Sequence, residues 1–349
     1  MKRSRSSGAS ARKRDLPWLL KLLMIPGALV LGLVGFLWVG IPFPTKGPLI
    51  AGITFSVPQA ESLGLDWKKT LHESLDDLHI RRFRIPTYWS RLERERGIYD
   101  WTELDYQMDE IGKHGGKVLM TVGLKVPRWP ECWWPEWAKN LPKHETESTV
   151  LAYMTATVKR YDSHPALEGW QVENEPLFHF GICPKPDLEF FKREVAHVRG
   201  LNGRHPLIAT DSGELSTWIK TGKLADALGI SVYRVVRSPR GWIFTYDWLP
   251  PYWYARRALL TRPWVPNIFV SEFQMEPWFD RHPLDTPVPE QFRTFDIRRM
   301  RKNFDFAERM RINTIYFWGV EWWHWMKERH NDPRFWETAK EFFEKHQIN

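Results

Sequence analysis

Two glutamates stand where a chemical step could be run from both sides. The stretch Gly169-Trp-Gln-Val-Glu-Asn-Glu-Pro176 reads as a strand that runs straight into Asn174, Glu175 and Pro176. Far along the chain a second strand, Asn267-Ile-Phe-Val-Ser-Glu272, also ends on a glutamate. Carboxyl groups at the C-terminal ends of two separate strands are what a barrel needs to cleave a glycosidic bond. One carboxyl is protonated and donates to the leaving oxygen. The other is ionised and attacks or stabilises the anomeric carbon, and different surroundings set the two pKa values.

Further strand ends supply the supporting chemistry. If Glu175 faces the axis at the end of the fourth strand, Arg84, Tyr233 and Trp318 hold comparable positions on the second, sixth and eighth strands. Arg84 would keep Glu272 ionised, Tyr233 would hydrogen-bond the same carboxylate, and Trp318 would offer a sugar platform. Asn174 would bind the hydroxyl beside the reacting carbon. Glu173 and Glu276 are decoys. Glu173 is expected one layer deeper, paired with Arg82 or Arg84, because a buried acid needs a partner. Glu276, before Pro277, reads as loop.

These residues need eight strands to hold them. Short apolar runs at 49–56, 80–86, 117–123, 167–174, 206–211, 227–233, 267–272 and 313–318 alternate with helical patterns. The helices are expected near 66–78, 103–115, 147–161, 187–201, 215–225, 250–260, 289–310 and 333–346. That alternation predicts an α/β fold, a (β/α)8 TIM barrel. An open doubly wound sheet is the competitor. It would want a Gly-rich phosphate turn after the first strand, and Thr54-Phe-Ser-Val-Pro-Gln-Ala60 is not one. The loops carry tryptophan: Val126–Trp137 after the third strand, 234–264 after the sixth, and Gly319–Trp325 after the eighth. Among the 21 tryptophans, those in loops favour sugar stacking and those in strands favour core filling. Trp129 is taken as a stacking face on this ground.

The chain's start sets an expected compartment. Residues 1–17 form a basic tail, and Leu22–Ile41 carries no charge. At about 1.5 Å per residue that run spans roughly 30 Å, so residues 18–41 are expected to be a transmembrane signal anchor. A cleaved signal peptide is the competing reading, with a shorter apolar core. The basic flank would stay in the cytoplasm, placing residues 42–349 as an extracytoplasmic catalytic domain. Seven of the fifty Lys and Arg and one of the forty-two acids lie in residues 1–21. The net charge of +8 is therefore mostly the tail, and it does not call for a nucleic-acid partner. Cys132 and Cys183, the two cysteines, are expected to form a disulfide in an oxidising compartment. No Cys/His spacing suits a metal, and no cofactor is expected. His179 and His324 lie near candidate site loops, where a lone His is more often structural. The arginines at 234, 237, 240, 256, 257 and 262 read first as a solvated face, and alternatively as a binder of acidic glycan.

Several of these stretches carry a resemblance. Arg82-Phe-Arg-Ile-Pro86, Trp89 through Glu93, Gly97-Ile-Tyr-Asp-Trp101 with Leu104-Asp105, Trp170 through Pro176, Ile230-Ser-Val-Tyr233 and Ser271-Glu272-Phe273 are similar to motifs of the retaining glycoside hydrolases of clan A, of cellulase and β-galactosidase type. The resemblance covers residues 48–325. It implies acid/base catalysis by Glu175, nucleophilic attack by Glu272, and an oligosaccharide or polysaccharide substrate. The chain departs from many cellulase-type members in carrying Gly123-Leu-Lys125 where they have a histidine near the end of the third strand, so the resemblance does not name the sugar. A transglycosylase would use the same residues. A non-catalytic glycan-binding barrel would keep the tryptophans without needing both carboxyls. A membrane scaffold would explain the anchor alone.

Overall fold

The computed structural model describes residues 18–38 and 47–346, apart from 202, 239 and 280. Residues 1–41 and 42–349 are separate compact units. In the first, a single helix runs over Trp18–Trp38. The expectation of a transmembrane anchor is corrected here. Among the described residues no helix is long and apolar enough to cross a membrane. The charge-free part of the helix runs only from Leu22 to Trp38 and contains Pro26. At about 1.5 Å per residue it reaches ~25 Å, short of the roughly 30 Å of a hydrocarbon core. The basic tail at 1–17 lies outside the described residues.

Among the described residues the second unit has ten strands. They are β1 (Ile50–Thr54), β2 (Arg82–Pro86), β3 (Lys117–Val122), β4 (Leu167–Val172), β5 (Leu207–Ser212), β6 (Ala227–Val232), β7 (Val235–Arg237), β8 (Ile243–Thr245), β9 (Ile268–Gln274) and β10 (Thr314–Trp318). Eight of them close into a barrel in the order β1, β10, β9, β6, β5, β4, β3, β2. Every neighbouring pair in it is parallel. The strands are short, rich in Val, Ile and Leu, and almost wholly buried, because crossover helices cover the sheet's outer face. The small antiparallel pair β7–β8 stands apart, in the loop after the sixth barrel strand.

The helical shell follows its caps. Asp66 accepts from the backbone N–H groups of Lys68 and Lys69 at the start of helix Trp67–Asp76. The helix expected over 289–310 divides into Val288–Gln291 and Ile297–Arg309. Asp296 restarts it, accepting from Arg299 N at 2.8 Å, and Met300, Phe304 and Ala307 then recur on the buried face. The helix expected over 215–225 is one turn, Ile219–Gly222.

Two tryptophan- and arginine-rich loops differ from their expected character. The stretch Gly319–Trp325 is the head of a helix, Val320–His330. Its Trp322 and Trp323 are fully buried, donating to Gln291 and to the Met275 carbonyl. In this stretch the indoles fill the core. Three of the arginines after the sixth barrel strand are engaged in holding the protein together, while Arg240 and Arg262 are exposed. Arg234 bonds the Tyr246 and Leu249 carbonyls, Arg237 pairs with Glu290, and Arg257 bonds the Gly213 and Ser216 carbonyls. Sequence proximity showed only Asp247 as an acid nearby. Glu290 arrives from a distant segment.

Cys132 and Cys183 are joined, with Cα atoms 5.3 Å apart. The bond ties the loop after β3 to the loop after β4 and closes 51 residues of chain. Loop-closure entropy for that length is worth about 4 kcal/mol, and native bridges of this kind commonly contribute ~2–4 kcal/mol. Replacing both cysteines with serine should lower the unfolding free energy by about 2–4 kcal/mol, read from the urea midpoint. An unchanged midpoint would mean that the two loops are held without the bond.

Candidate active site

Arg84 lies on β2 with its side chain completely buried. Strand alternation separates it from Arg82, which faces outward and pairs with Glu168 at 3.5 Å. A guanidinium taken out of water costs several kcal/mol unless its N–H groups find acceptors. Arg84 finds four. Its Nε donates to Gln171 Oε1 at 2.7 Å, and one terminal nitrogen donates to Glu272 Oε1 at 2.6 Å and the Ser271 carbonyl at 3.4 Å. The other donates to Asn174 Oδ1 at 2.8 Å. One side chain thus bonds groups on or just beyond β4 and β9, the two strands that carry the candidate carboxyls.

Glu272 is aimed by an irregularity in β9. Against β6 the pairing passes from Ile230–Val270 directly to Ser231–Glu272, and against β10 it passes from Ile315–Val270 to Phe317–Phe273. One extra residue is therefore accommodated at Ser271–Glu272, a β-bulge that re-aims the side chains around it. Both carboxylate oxygens are held, Oε1 by Arg84 and Oε2 by the Tyr233 hydroxyl at 3.0 Å.

Glu175 is placed by the way β4 ends. Only Trp170 and Gln171 pair with β5, after which the chain turns away. Glu173 and Glu175 take positive φ values of 58° and 44°, which side chains other than glycine seldom adopt and which cluster at functional sites. The Glu175 backbone N–H is caught by Thr210 Oγ1 at 2.8 Å. Its carboxyl accepts from Ser231 Oγ at 2.6 Å. Burial, and then the nearby charge of Glu272, push Glu175 up to about 7, against the opposing hydrogen bond from Ser231. The two carboxyls therefore share one site in unlike surroundings.

The decoys have other occupations. Glu173 does not pair with Arg82 or Arg84. It accepts from the backbone N–H groups of Leu124 and Lys125 at 2.6 and 2.8 Å, and it lies near Glu194, whose pKa burial and the Glu173 charge raise well above the usual carboxylate range. The carboxyl lies against Gly123, where a Cβ would stand 2.3 Å from Glu173 Oε1. That close approach, with φ at +139°, explains a glycine at this position. Glu276 is no free loop residue either. It is buried, accepts from Trp318 Nε1 at 2.7 Å, and pairs with Arg128.

Trp318 stands at the end of β10, with the Arg128 guanidinium 3.9 Å over its ring. Arg128 also reaches Glu321 at 2.6 Å, so one face of the indole is already covered by a buried ion network. Trp129 lies at the rim, 64% exposed. A chain of aromatic contacts leads from it to Phe180, Trp278 and Tyr233, the last touching Glu272. Sequence reasoning missed Gln171, Thr210, Ser231 and Glu131. Ser231 was within reach, because alternation along β6 puts it on the same face as Tyr233. Glu131 carried no such signal. Its carboxyl accepts from Asn174 Nδ2 at 3.1 Å only because two loops fold together.

His324 lies on the helical shell, its Nδ1 bonded to Thr70 Oγ1. With Glu73 and Glu328 it forms the one group among the described residues whose atoms are close enough to hold a metal. Lys327 and Lys69 already bond those carboxylates, each at 2.6 Å, so the group reads as a salt-bridge network.

Comparison with known proteins bears on this site. A glycoside hydrolase family 42 β-galactosidase model matches residues 66–202. Beta-galactosidase BgaH of Haloferax lucentense is 31% identical over 106 residues, a match that covers 25% of this chain and 16% of that protein. The chain therefore matches only a minor part of such relatives. Among solved structures, the β-galactosidase of the Antarctic haloarchaeon Halorubrum lacusprofundi aligns with a TM-score of 0.58 at 14% identity, over 85% of this chain and 58% of that one. A GH5_18 protein of Streptomyces cattleya, in complex with GlcNAc, aligns with a TM-score of 0.54 at 12% identity, over 79% and 71%. These two likenesses concern the fold. The chain thus shares the closed barrel with these structures, and a stretch containing β2, β3 and β4 with the β-galactosidase family model.

Proposed function

We propose that the protein is a retaining O-glycosidase, with Glu175 as general acid/base and Glu272 as nucleophile. The observation that carries this reading is the contrast between the two carboxyls. Glu175, buried and beside another acid, keeps a proton up to about pH 7. Glu272 has both oxygens held by Arg84 and Tyr233. In the first step Glu175 protonates the glycosidic oxygen while Glu272 attacks the anomeric carbon, and the aglycone leaves. In the second, Glu175 takes a proton from water, which displaces Glu272 and frees the sugar. Asn174 is held by Arg84 through its oxygen, and its amide nitrogen donates to Glu131. Trp129 and the aromatic rim would receive the sugar or its neighbour.

The substrate class is an oligosaccharide or polysaccharide. The names of the relatives make β-galactosides the first members of a test panel. An extracytoplasmic site of action is supported by the Cys132–Cys183 bond, since disulfides persist in oxidising compartments. A transglycosylase would use a sugar acceptor in place of water, and product analysis separates the two.

The roles make distinct demands on variants. Glu272→Ala should abolish trapping of a glycosyl-enzyme, with azide restoring turnover by replacing the nucleophile. Glu175→Ala should lose about 10²–10⁴-fold on a glycoside with a poor leaving group and far less on a dinitrophenyl glycoside, which needs no proton. Equal losses by both variants on both substrates would sink the assignment.

The pH profile tests the acid independently. Glu175 must carry its proton to donate it, so kcat/KM on a poor leaving group should fall as pH rises through about 7. Ser231 donates to the ionised carboxyl and favours it. Ser231→Ala should therefore move the basic limb to higher pH. A limb that stays put or moves down would show that another group governs it.

A further inference from the structure

A third carboxyl belongs to the site and has no part in the two-step scheme. Glu131 is buried in the loop after β3 and accepts from Asn174 Nδ2 at 3.1 Å. Its place is firmly defined. It takes a φ of 73°, its neighbour Cys132 is bonded to Cys183, and the Gly181 backbone lies so close that a Cβ there would come within 2.6 Å of the Glu131 Cβ. Burial, with Glu272 and Glu175 adding to it against Lys125, pushes Glu131 up to about 8. Asn174, which donates to Glu131, is itself held by the Arg84 that pairs with Glu272, so Glu131 joins the hydrogen-bond network around the candidate carboxyls.

We propose that Glu131 is a specificity-determining residue that works with Asn174 to read the hydroxyl next to the anomeric carbon of the bound sugar. The inference rests on the glycosidase reading of this site. Asn174 Oδ1 is engaged by Arg84 at 2.8 Å and Thr210 at 3.3 Å, so the second N–H of its amide, beside the one on Glu131, is the group left for substrate. A hydroxyl that accepts from Asn174 Nδ2 still has a proton of its own to place. The Glu131 carboxyl, already within hydrogen-bond distance of that nitrogen, is the acceptor at hand. The Glu131 oxygen that accepts from Asn174 keeps a second lone pair whether or not its partner oxygen is protonated, so the pair matches a hydroxyl and forms one hydrogen bond fewer with a group that can only accept. A purely structural Glu131 would steady Asn174 and be indifferent to the substituent.

The test is binding to the Glu272→Gln protein, which cannot turn the ligand over. Calorimetry compares p-nitrophenyl β-D-galactopyranoside with its 2-deoxy-2-fluoro counterpart, which lacks the donor proton. The hydroxyl compound should bind about tenfold tighter or more, a gap typical of a hydrogen bond at a buried site. Adding Glu131→Met, which keeps the volume and removes the acceptor, should close that gap by weakening the hydroxyl compound alone. Glu131→Gln, which keeps an acceptor, should preserve it within about threefold. Equal binding of the two compounds by the parent, absent binding included, overturns the proposal. So does an equal loss for both in Glu131→Met. Turnover by the unmodified protein reports separately: contrast without turnover sinks the glycosidase reading, and turnover without contrast sinks this one.

Discussion

The Arg84 guanidinium is the constraint on which the site depends. It is fully buried, and each of its nitrogens has an acceptor supplied by β4, by β9 or by the turn after β4. Burying this charge is tolerable only because those acceptors converge, and their convergence is what holds the two strand ends in register. Loss of one acceptor would weaken the pairing of a buried cation. The same bonds that make the arginine tolerable therefore fix Glu272 and Asn174 for chemistry. This is preorganisation in a concrete form, because the polar groups are oriented before any ligand arrives.

The barrel gives these groups a shared face, but local irregularity sets their aim. The bulge in β9 turns Glu272, and the early parting of β4 from β5 with positive φ at Glu173 and Glu175 turns the other acid. Such conformations cost of order 1–3 kcal/mol each and persist where the surroundings over-determine them. Here the surroundings are visible. Thr210 holds the Glu175 backbone, and the Glu173 carboxyl is pinned by two backbone N–H groups over Gly123. The decoy acid is a structural peg for the catalytic candidate two residues on.

Around this centre, charge is managed by networks and tryptophan is used for two purposes. Arg128 is buried between Glu276 and Glu321 and covers one face of Trp318. Arg234, Arg237 and Arg257 bind backbone carbonyls and a distant acid, which ties a long loop into the fold. Trp322 and Trp323 are core residues whose N–H groups are satisfied within the protein, while Trp129 stands at an exposed rim. A high tryptophan content alone does not distinguish these uses. Burial and hydrogen bonding do.

The eight barrel strands were legible in the sequence because each is a short apolar run bounded by turns, and the helices between them because their apolar residues recur with a helical period. Glu175 and Glu272 were chosen because strand ends are where such barrels do chemistry, and the structure holds both in buried hydrogen-bond networks, while Ser231 could have been read from the alternation that gave Tyr233. The Leu22–Ile41 run was over-read: composition shows apolarity, but among the described residues no helix is long and apolar enough to cross a membrane. The helix at Val320–His330 was hidden by its buried tryptophans, which mimic a stacking loop. What sequence alone determined is the set of elements and the residues at their ends, since both follow from local pattern. Tertiary structure alone decided the partners of Glu173 and Glu276, the bulge that aims Glu272, and the meeting of Glu131 with Asn174. Those depend on chain segments far apart in sequence, and on pKa values set by burial, which no local pattern encodes.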